Sequence, residues 1–236
     1  MRSMNDSFMH SGITGMKWGV RRYQLKGSSK RTEEGKKRYA HSASGLADRI
    51  YQNAKKSEPK MTKDVTNVIS RSGGKAYGLK NRLKTKASLE RKIKTDAKQK
   101  GVSLTESAKR IKDAVRYTAV LDDNNFVDEY NSIKSQLAEK GYAETRCRNY
   151  FDLYRQGKAK HKQITTVYED TDGNEFELQF HTPSSIKAKE KKISLYEEAR
   201  DPKVSKERKS ELEKRMDALA KRVKNPEGIY SIKSHA

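Results

Sequence analysis

Cysteine is nearly absent: Cys147 is the only one in 236 residues. No intrachain disulfide can form, and no thiolate metal cluster can be built. That usage fits synthesis in the cytosol. Cys147 sits in a polar-apolar alternation, which predicts a packing residue rather than a nucleophile. Long apolar runs are also missing, and none approaches the about 20 residues a membrane span needs. The opening stretch, MRSMNDSFMHSG, holds no hydrophobic signal core. The histidines, His10, His41, His161, His181 and His235, show no i, i+4 pair of the metal-ligand kind. There is no GxGxxG, no P-loop and no GxSxG, so a zinc hydrolase, a P-loop NTPase or a serine hydrolase has no support. No segment repeats at a fixed period.

Apolar residues are scarce as well. Only 33% of the chain is hydrophobic and 36% is charged. That is lean for a chain folded end to end, and it predicts some tail, linker or exposed helix. What is abundant is positive charge. The net charge of +22 points to a polyanionic partner: nucleic acid, nucleotide phosphates or an anionic surface.

Residues 1–60 are rich in Gly, Ser, Lys and Arg, and their apolar residues are sparse. They read as a basic extension, partly disordered, with short helices at most. From Met61 the texture changes. MTKDVTNVISRSG has a capping signal at Thr62 and apolar residues at helical spacing. Thr85 and Gly101 bracket a helix over KASLERKIKTDAKQKG. AVRYTAVL is rich in β formers and nearly uncharged, like a central strand. In the helix that follows, Phe126, Tyr130, Ile133 and Leu137 make one stripe and Gly141 closes it. Two alternating runs around Asp172-Gly173 predict a β-hairpin. In its second run Phe176, Leu178 and Phe180 point inward, while Glu177, Gln179 and His181 share the other face. The order of elements predicts an α+β domain with a mixed β-sheet flanked by helices over 61–202, followed by a C-terminal helix and tail over 203–236.

Three groups of residues carry chemistry. In RLKTKASLERK, Arg82 and Lys84 share a face if the stretch is a strand. Ser88 and Lys92, four apart, share a face of the next helix. A helix N-terminus beside them would favour anions such as a triphosphate. Phosphoryl chemistry also needs carboxylates, for Mg²⁺ and to take a proton from an attacking hydroxyl. Asp113, just before the uncharged strand, and Glu177, on the polar face of the hairpin, are the candidates. The bland alternatives are a solvated basic face, a turn residue and a solvent-facing glutamate.

In this order the motifs resemble those of the RelA/SpoT-type synthetase domain. RLKTKASLERK is similar to its R-x-K-x-x-x-S-x-x-x-K motif, IKDAVRYTAV to its Asp-containing strand with Arg116, GY and HKQITTV to its acceptor segment, and FELQFHT to its Glu-x-Gln-x-x-Thr strand. The resemblance implies a nucleotidyltransferase-related fold. It also implies transfer of the β,γ-pyrophosphate of ATP to a 3′-hydroxyl, on GDP or GTP, on an adenine nucleotide or on the end of a tRNA. Carried over, Arg82, Lys84, Ser88 and Lys92 bind ATP. Asp113 and Glu177 bind Mg²⁺, and Glu177 activates the acceptor. Arg116, His161, Thr165, Gln179 and His181 lie on the acceptor side.

The departures from the pattern are local. Asp113 precedes Arg116 by three residues where the family has five. His161 stands where the family stacks a Tyr, Thr165 where it has His, and His181 where it has Arg. The ATP motif is intact, so the implied donor is ATP, with an acceptor not recognised as guanine in the usual way.

A second resemblance covers HSGITGMKWGVRRYQ, residues 10–24, which looks like the H-x-G-x-x-G-M-K-W-G-x-R-R box of structural and head-associated proteins of tailed phages. It implies a phage-encoded protein acting in the bacterial host cytoplasm or carried in the virion. Phage head proteins or packaged DNA would be its further partners. The alternative is a catalytically inactive phage structural protein that binds nucleic acid.

Overall fold

A computed structural model describes residues 31–201 and 203–235. The phage-like box and the first half of the basic extension lie outside these residues. Two N-terminal helices, α1 (Glu33–His41) and α2 (Ala43–Arg71), lead into the short strand β1 (Lys75–Ala76). Then come α3 (Lys86–Lys100), α4 (Leu104–Lys109), β2 (Arg116–Val120), α5 (Phe126–Glu139), β3 (Ala143–Asn149) and α6 (Tyr150–Arg155). The chain continues through β4 (Ile164–Glu169), β5 (Glu175–His181), α7 (Pro183–Ala199) and α8 (Lys206–Lys221). The strands form one sheet in the order β1-β2-β5-β4-β3. β2 runs parallel to β5 and the other pairs are antiparallel, so the sheet is mixed. This is the α+β architecture the sequence predicts.

The hairpin forms as expected, with a turn over residues 170–174. Asp170 Oδ1 accepts from the amides of Asp172 at 3.0 Å and Asn174 at 2.8 Å, and Gly173 supplies a φ of +78°. Phe176, Leu178 and Phe180 are fully buried. Tyr117, Tyr142 and Tyr168 surround Phe176, with ring centroids 5.4–5.5 Å away. Tyr130 of α5 meets Phe180 edge-on at 4.9 Å. The expected stripe of α5 is buried throughout, and Thr85 and Gly101 cap α3 as predicted.

The helix α2 differs from expectation. It runs unbroken through the texture change at Met61. Leu46, Ala47, Ala54, Met61, Val65 and Val68 are all buried along it. The short helix expected in the extension is the first half of this long one, and Pro59, which reads as a break, sits inside it. Thr62 is therefore no N-cap. Its hydroxyl lies inside the helix, against Glu58 and 2.9 Å from the Tyr117 hydroxyl.

The C-terminal segment is also packed. Val223, Ile229 and Ile232 are buried, and His235 exchanges backbone hydrogen bonds with Cys147 of β3 at 2.9 and 3.0 Å. Asn149, fully buried, clamps this segment. Its Nδ2 donates to the carbonyls of Ile229 and Ile232, and its Oδ1 accepts from the amides of Phe151 and Asp152. An Asn149→Ala protein leaves these groups buried without partners. It should lose about 2 kcal/mol, measured by denaturant unfolding, and an unchanged midpoint would show that the clamp carries no stability. Cys147 itself is buried beside the Tyr130 hydroxyl, and burial raises its pKa, as a packing residue requires.

Candidate functional site

The segment 79–92 is built differently from a strand leading into a helix. A 3₁₀ turn over Leu79–Asn81 ends at Arg82, whose backbone is helical (φ −66°, ψ −31°). Only Leu83 makes a β-bridge, to Val115, before Thr85 caps α3. Three residues between two helical turns are too few for a strand. Arg82 and Lys84 nevertheless line one cleft of about 250 Å³, together with Ser88, Asp113 and Arg116. Thr85 Oγ1 accepts from the Ser88 amide at 3.2 Å and donates to its hydroxyl at 3.0 Å, which fixes Ser88 at the start of α3.

Asp113 is the hub of this cleft. It is 8% exposed. Its Oδ2 pairs with Lys84, and its Oδ1 accepts from Lys92 Nζ at 2.8 Å. Burial alone would raise its pKa, but the two ammonium groups outweigh burial and hold it down at about 2. Burial pushes the Lys84 pKa down despite Asp113, and Lys92 and Arg116 add to that shift. Three cations thus face one carboxylate, and the cleft carries a surplus of positive charge. Arg82 is anchored apart from this group, by Glu58 of α2 and the carbonyl of Leu79.

Glu177 lies next to this cleft, since its strand partner in the parallel β2–β5 pair is Arg116. It is half-buried. Gln179 Nε2 donates to its Oε1 at 2.7 Å. The other oxygen has no hydrogen bond or ion pair among the described residues.

On the far side of Glu177 three of the five expected acceptor residues meet at a second cleft of about 250 Å³, while Arg116 lies in the Asp113 cleft. His161, Gln179 and His181 line it. His161 is exposed at the rim and stacks at a tilt on Tyr150, with centroids 4.3 Å apart. Thr165 is buried on β4 opposite Gln179, and its hydroxyl accepts from Gln163 at 2.8 Å. His181 is 1% exposed. Its Nδ1 lies 2.8 Å from the Ser185 hydroxyl, and burial keeps the ring neutral, with its pKa well below the usual value. The polar face of β5 is therefore covered by α7, not open to water.

Residues 1–25 match the model of a family of unknown function (DUF7211). No curated protein matches the chain. Among solved structures, the chain is similar to small alarmone synthetase 1 from Bacillus subtilis, at 16% identity over 74% of this chain and 90% of that one, with a TM-score of 0.49. It is similar to a GTP pyrophosphokinase family protein from Streptococcus pneumoniae, at 17% identity over 74% and 85%, with a TM-score of 0.47. It is also similar to a complex of the type VI effector Tas1 with its immunity protein, at 17% identity over 73% and 93%, with a TM-score of 0.44. Another structure of the Bacillus enzyme holds its product pppGpp. At such identities the likeness concerns the fold.

The sequence reading passed over Glu58, which holds Arg82, and over Lys189 and Lys192 of α7. Lys189 Nζ donates to Gln179 Oε1 at 2.7 Å and lies 3.4 Å from His181 Nε2. The signal was present, since Ser185, Lys189 and Lys192 fall on one helical face at i, i+4 and i+7. In a chain with 53 lysines and arginines, that face did not stand out. Among the described residues, no three of His, Cys, Asp and Glu converge as a metal site, and no helix is long and apolar enough to cross a membrane.

Proposed function

We propose that the chain is a pyrophosphotransferase that moves the β,γ-pyrophosphate of ATP onto a hydroxyl of a nucleotide or of the 3′ end of a tRNA. The observation that carries this reading is the charge surplus around Asp113, beside a strand on which Glu177 keeps one oxygen free. A cleft with more cations than carboxylates suits a triphosphate. Lys84, Lys92 and Ser88 hold the phosphates, and Arg82, steadied by Glu58, lies against the adenine or the phosphates. The acceptor oxygen attacks the β-phosphorus and the bond from that phosphorus to the α,β-bridging oxygen breaks. AMP leaves, and the acceptor's proton passes to Glu177.

A magnesium ion fits such a site, because Mg²⁺ keeps several waters and takes only one or two carboxylates beside phosphates. Glu177 offers its free oxygen. Asp113 would join once the phosphates draw Lys84 and Lys92 from it. The ion would neutralise charge on the transferred group. Arg116 meets the phosphates in the Asp113 cleft that it lines, and Gln179, His161, Thr165 and His181 shape the acceptor side.

The box at 10–24 supports only a phage-encoded protein, acting in the host cytoplasm or carried in the virion; the transferase chemistry would make it a toxin or host-modifying factor. The test is incubation with γ-labelled ATP, Mg²⁺ and, separately, GDP or GTP, AMP or ADP, and bulk tRNA. Label should move to one of them. A second reading, an inactive phage structural protein that binds nucleic acid, draws on the net charge of +22 and on the occupation of both Asp113 oxygens by lysines. It requires no label transfer and an affinity for DNA or RNA that falls steeply with salt.

A further inference from the structure

Lys189 and Lys192 are half-buried on the face of α7 that meets the sheet. Lys189 bonds Gln179, and Lys192 Nζ donates to the Lys160 carbonyl at 2.7 Å. Neither forms an ion pair among the described residues. Glu177 attracts Lys189, and Asp217 of α8 attracts Lys192, only from beyond ion-pair distance. Two clefts meet at these lysines. The inner one, with His161, Gln179 and His181, has no carboxylate in its lining. The outer one, of about 460 Å³, shares His161 and both lysines and adds Ile193, Tyr196 and Met216, with Glu213 at its wall paired to Lys160.

An ammonium group held out of water without a counter-charge is costly. Burial pushes Lys189 down to about 8, and Arg116 of β2 adds repulsion that Glu177 only partly offsets. Apolar residues would cover the sheet at lower cost. An anion arriving in the cleft would repay that cost.

We propose that Lys189 and Lys192 form an anion subsite that grips a phosphate ester of the acceptor. Only the identity of the ligand as an acceptor rests on the pyrophosphotransferase reading. The position is suited to that role. Gln179 bonds both Glu177 and Lys189, and residues two apart on a strand are separated by about 7 Å. An acceptor with its hydroxyl at Glu177 and its phosphate at Lys189 spans roughly a ribose. Lys192, three residues along the helix from Lys189, lies on the same side and meets a second phosphate oxygen or a second phosphate. The phosphate belongs to a free 5′-nucleotide or to the backbone of an RNA 3′ end.

Calorimetry decides this without turnover. GDP, AMP, guanosine, adenosine and bulk tRNA are titrated into the full chain and into the Lys189→Met, Lys192→Met and Lys189→Arg proteins. The ATP analogue AMPCPP is titrated alongside to report on the cleft around Asp113. The wild type should bind a 5′-nucleotide at least about tenfold tighter than its nucleoside. Each methionine variant should lose about tenfold of that affinity, Lys189→Arg should keep it, and AMPCPP binding should not move. If the methionine variants weaken tRNA alone, the subsite stands and the phosphate is the RNA backbone's. Equal affinity for nucleotide and nucleoside in the wild type, with tRNA binding untouched in the variants, overturns the subsite. So does a loss that Lys189→Arg fails to rescue. If the variants weaken nucleotide binding while no label moves from ATP, the subsite holds and the transferase reading fails. If label moves and the variants bind as the wild type does, the reverse follows.

Discussion

A Glu177→Gln protein should transfer pyrophosphate from ATP about 10²- to 10⁴-fold more slowly than the wild type, the range for losing a general base. The substitution keeps the shape of the side chain and an oxygen that can accept from Gln179. The flanking Phe176 and Leu178 stay buried, so the strand has no reason to move. What disappears is the free carboxylate oxygen, and with it both the proton acceptor and a ligand for magnesium. The comparison uses single-turnover rates with labelled ATP, with AMPCPP affinity and melting temperature as controls. A rate within tenfold of the wild type would remove Glu177 from the chemistry and leave it as a polar residue of a covered strand.

The second large effect belongs to Asp113. In an Asp113→Asn protein, Lys84 and Lys92 lose their only shared counter-charge. Breaking a mostly buried ion pair by removing one partner costs about 3 kcal/mol, and the partial exposure of Lys92 places this at the low end of the usual range. For a domain of this size that is a melting temperature lower by roughly 6–12 °C. The same change enlarges the surplus of positive charge. Without magnesium, the less stable protein should therefore bind AMPCPP more tightly, and salt should erode the gain. Opposite movements of stability and affinity are the signature of a carboxylate that holds two lysines ready for phosphates. With magnesium present, transfer should slow as well if Asp113 joins the ion. Calorimetry and thermal unfolding on one preparation read both. A variant as stable as the wild type would mean the two ion pairs contribute nothing.

Much of the fold was legible because its strongest signals are local. The α5 stripe, the Thr85 and Gly101 caps and the alternation of β5 each follow from a single period or a single turn. The first half of α2 was legible only as a short helix, because Pro59 reads as a stop and nothing local shows the helix running on through it. The backbone of Arg82 was misread in a similar way: a pattern of two was present, but a 3₁₀ turn and a helix cap left no room for a strand. The site splits the same way. Spacing brought Arg82 and Lys84 together and set Ser88 with Lys92, but Arg116, expected on the acceptor side, lines the same cleft as Asp113. Spacing could not show that both oxygens of Asp113 are taken, that Glu58 reaches Arg82 from 24 residues away, or that α7 folds over Gln179 and His181. Those are tertiary facts, carried by long side chains that look alike in a lysine-rich sequence.

The backbone exchange between Cys147 and His235 has a consequence for how copies of this chain meet one another. β3 is an outer strand of the sheet, and a row of unpaired amides and carbonyls there is a template for another chain to extend. Ser234 and His235 cover part of that border at Asn149 and Cys147, and a β-bulge between Glu144 and Arg146 breaks its regularity. At the opposite border β1 is only two residues long. Both rims of the sheet are thus poor templates for a neighbour's strand. Cutting the chain before Pro226 would open the β3 rim and invite strand-by-strand self-association.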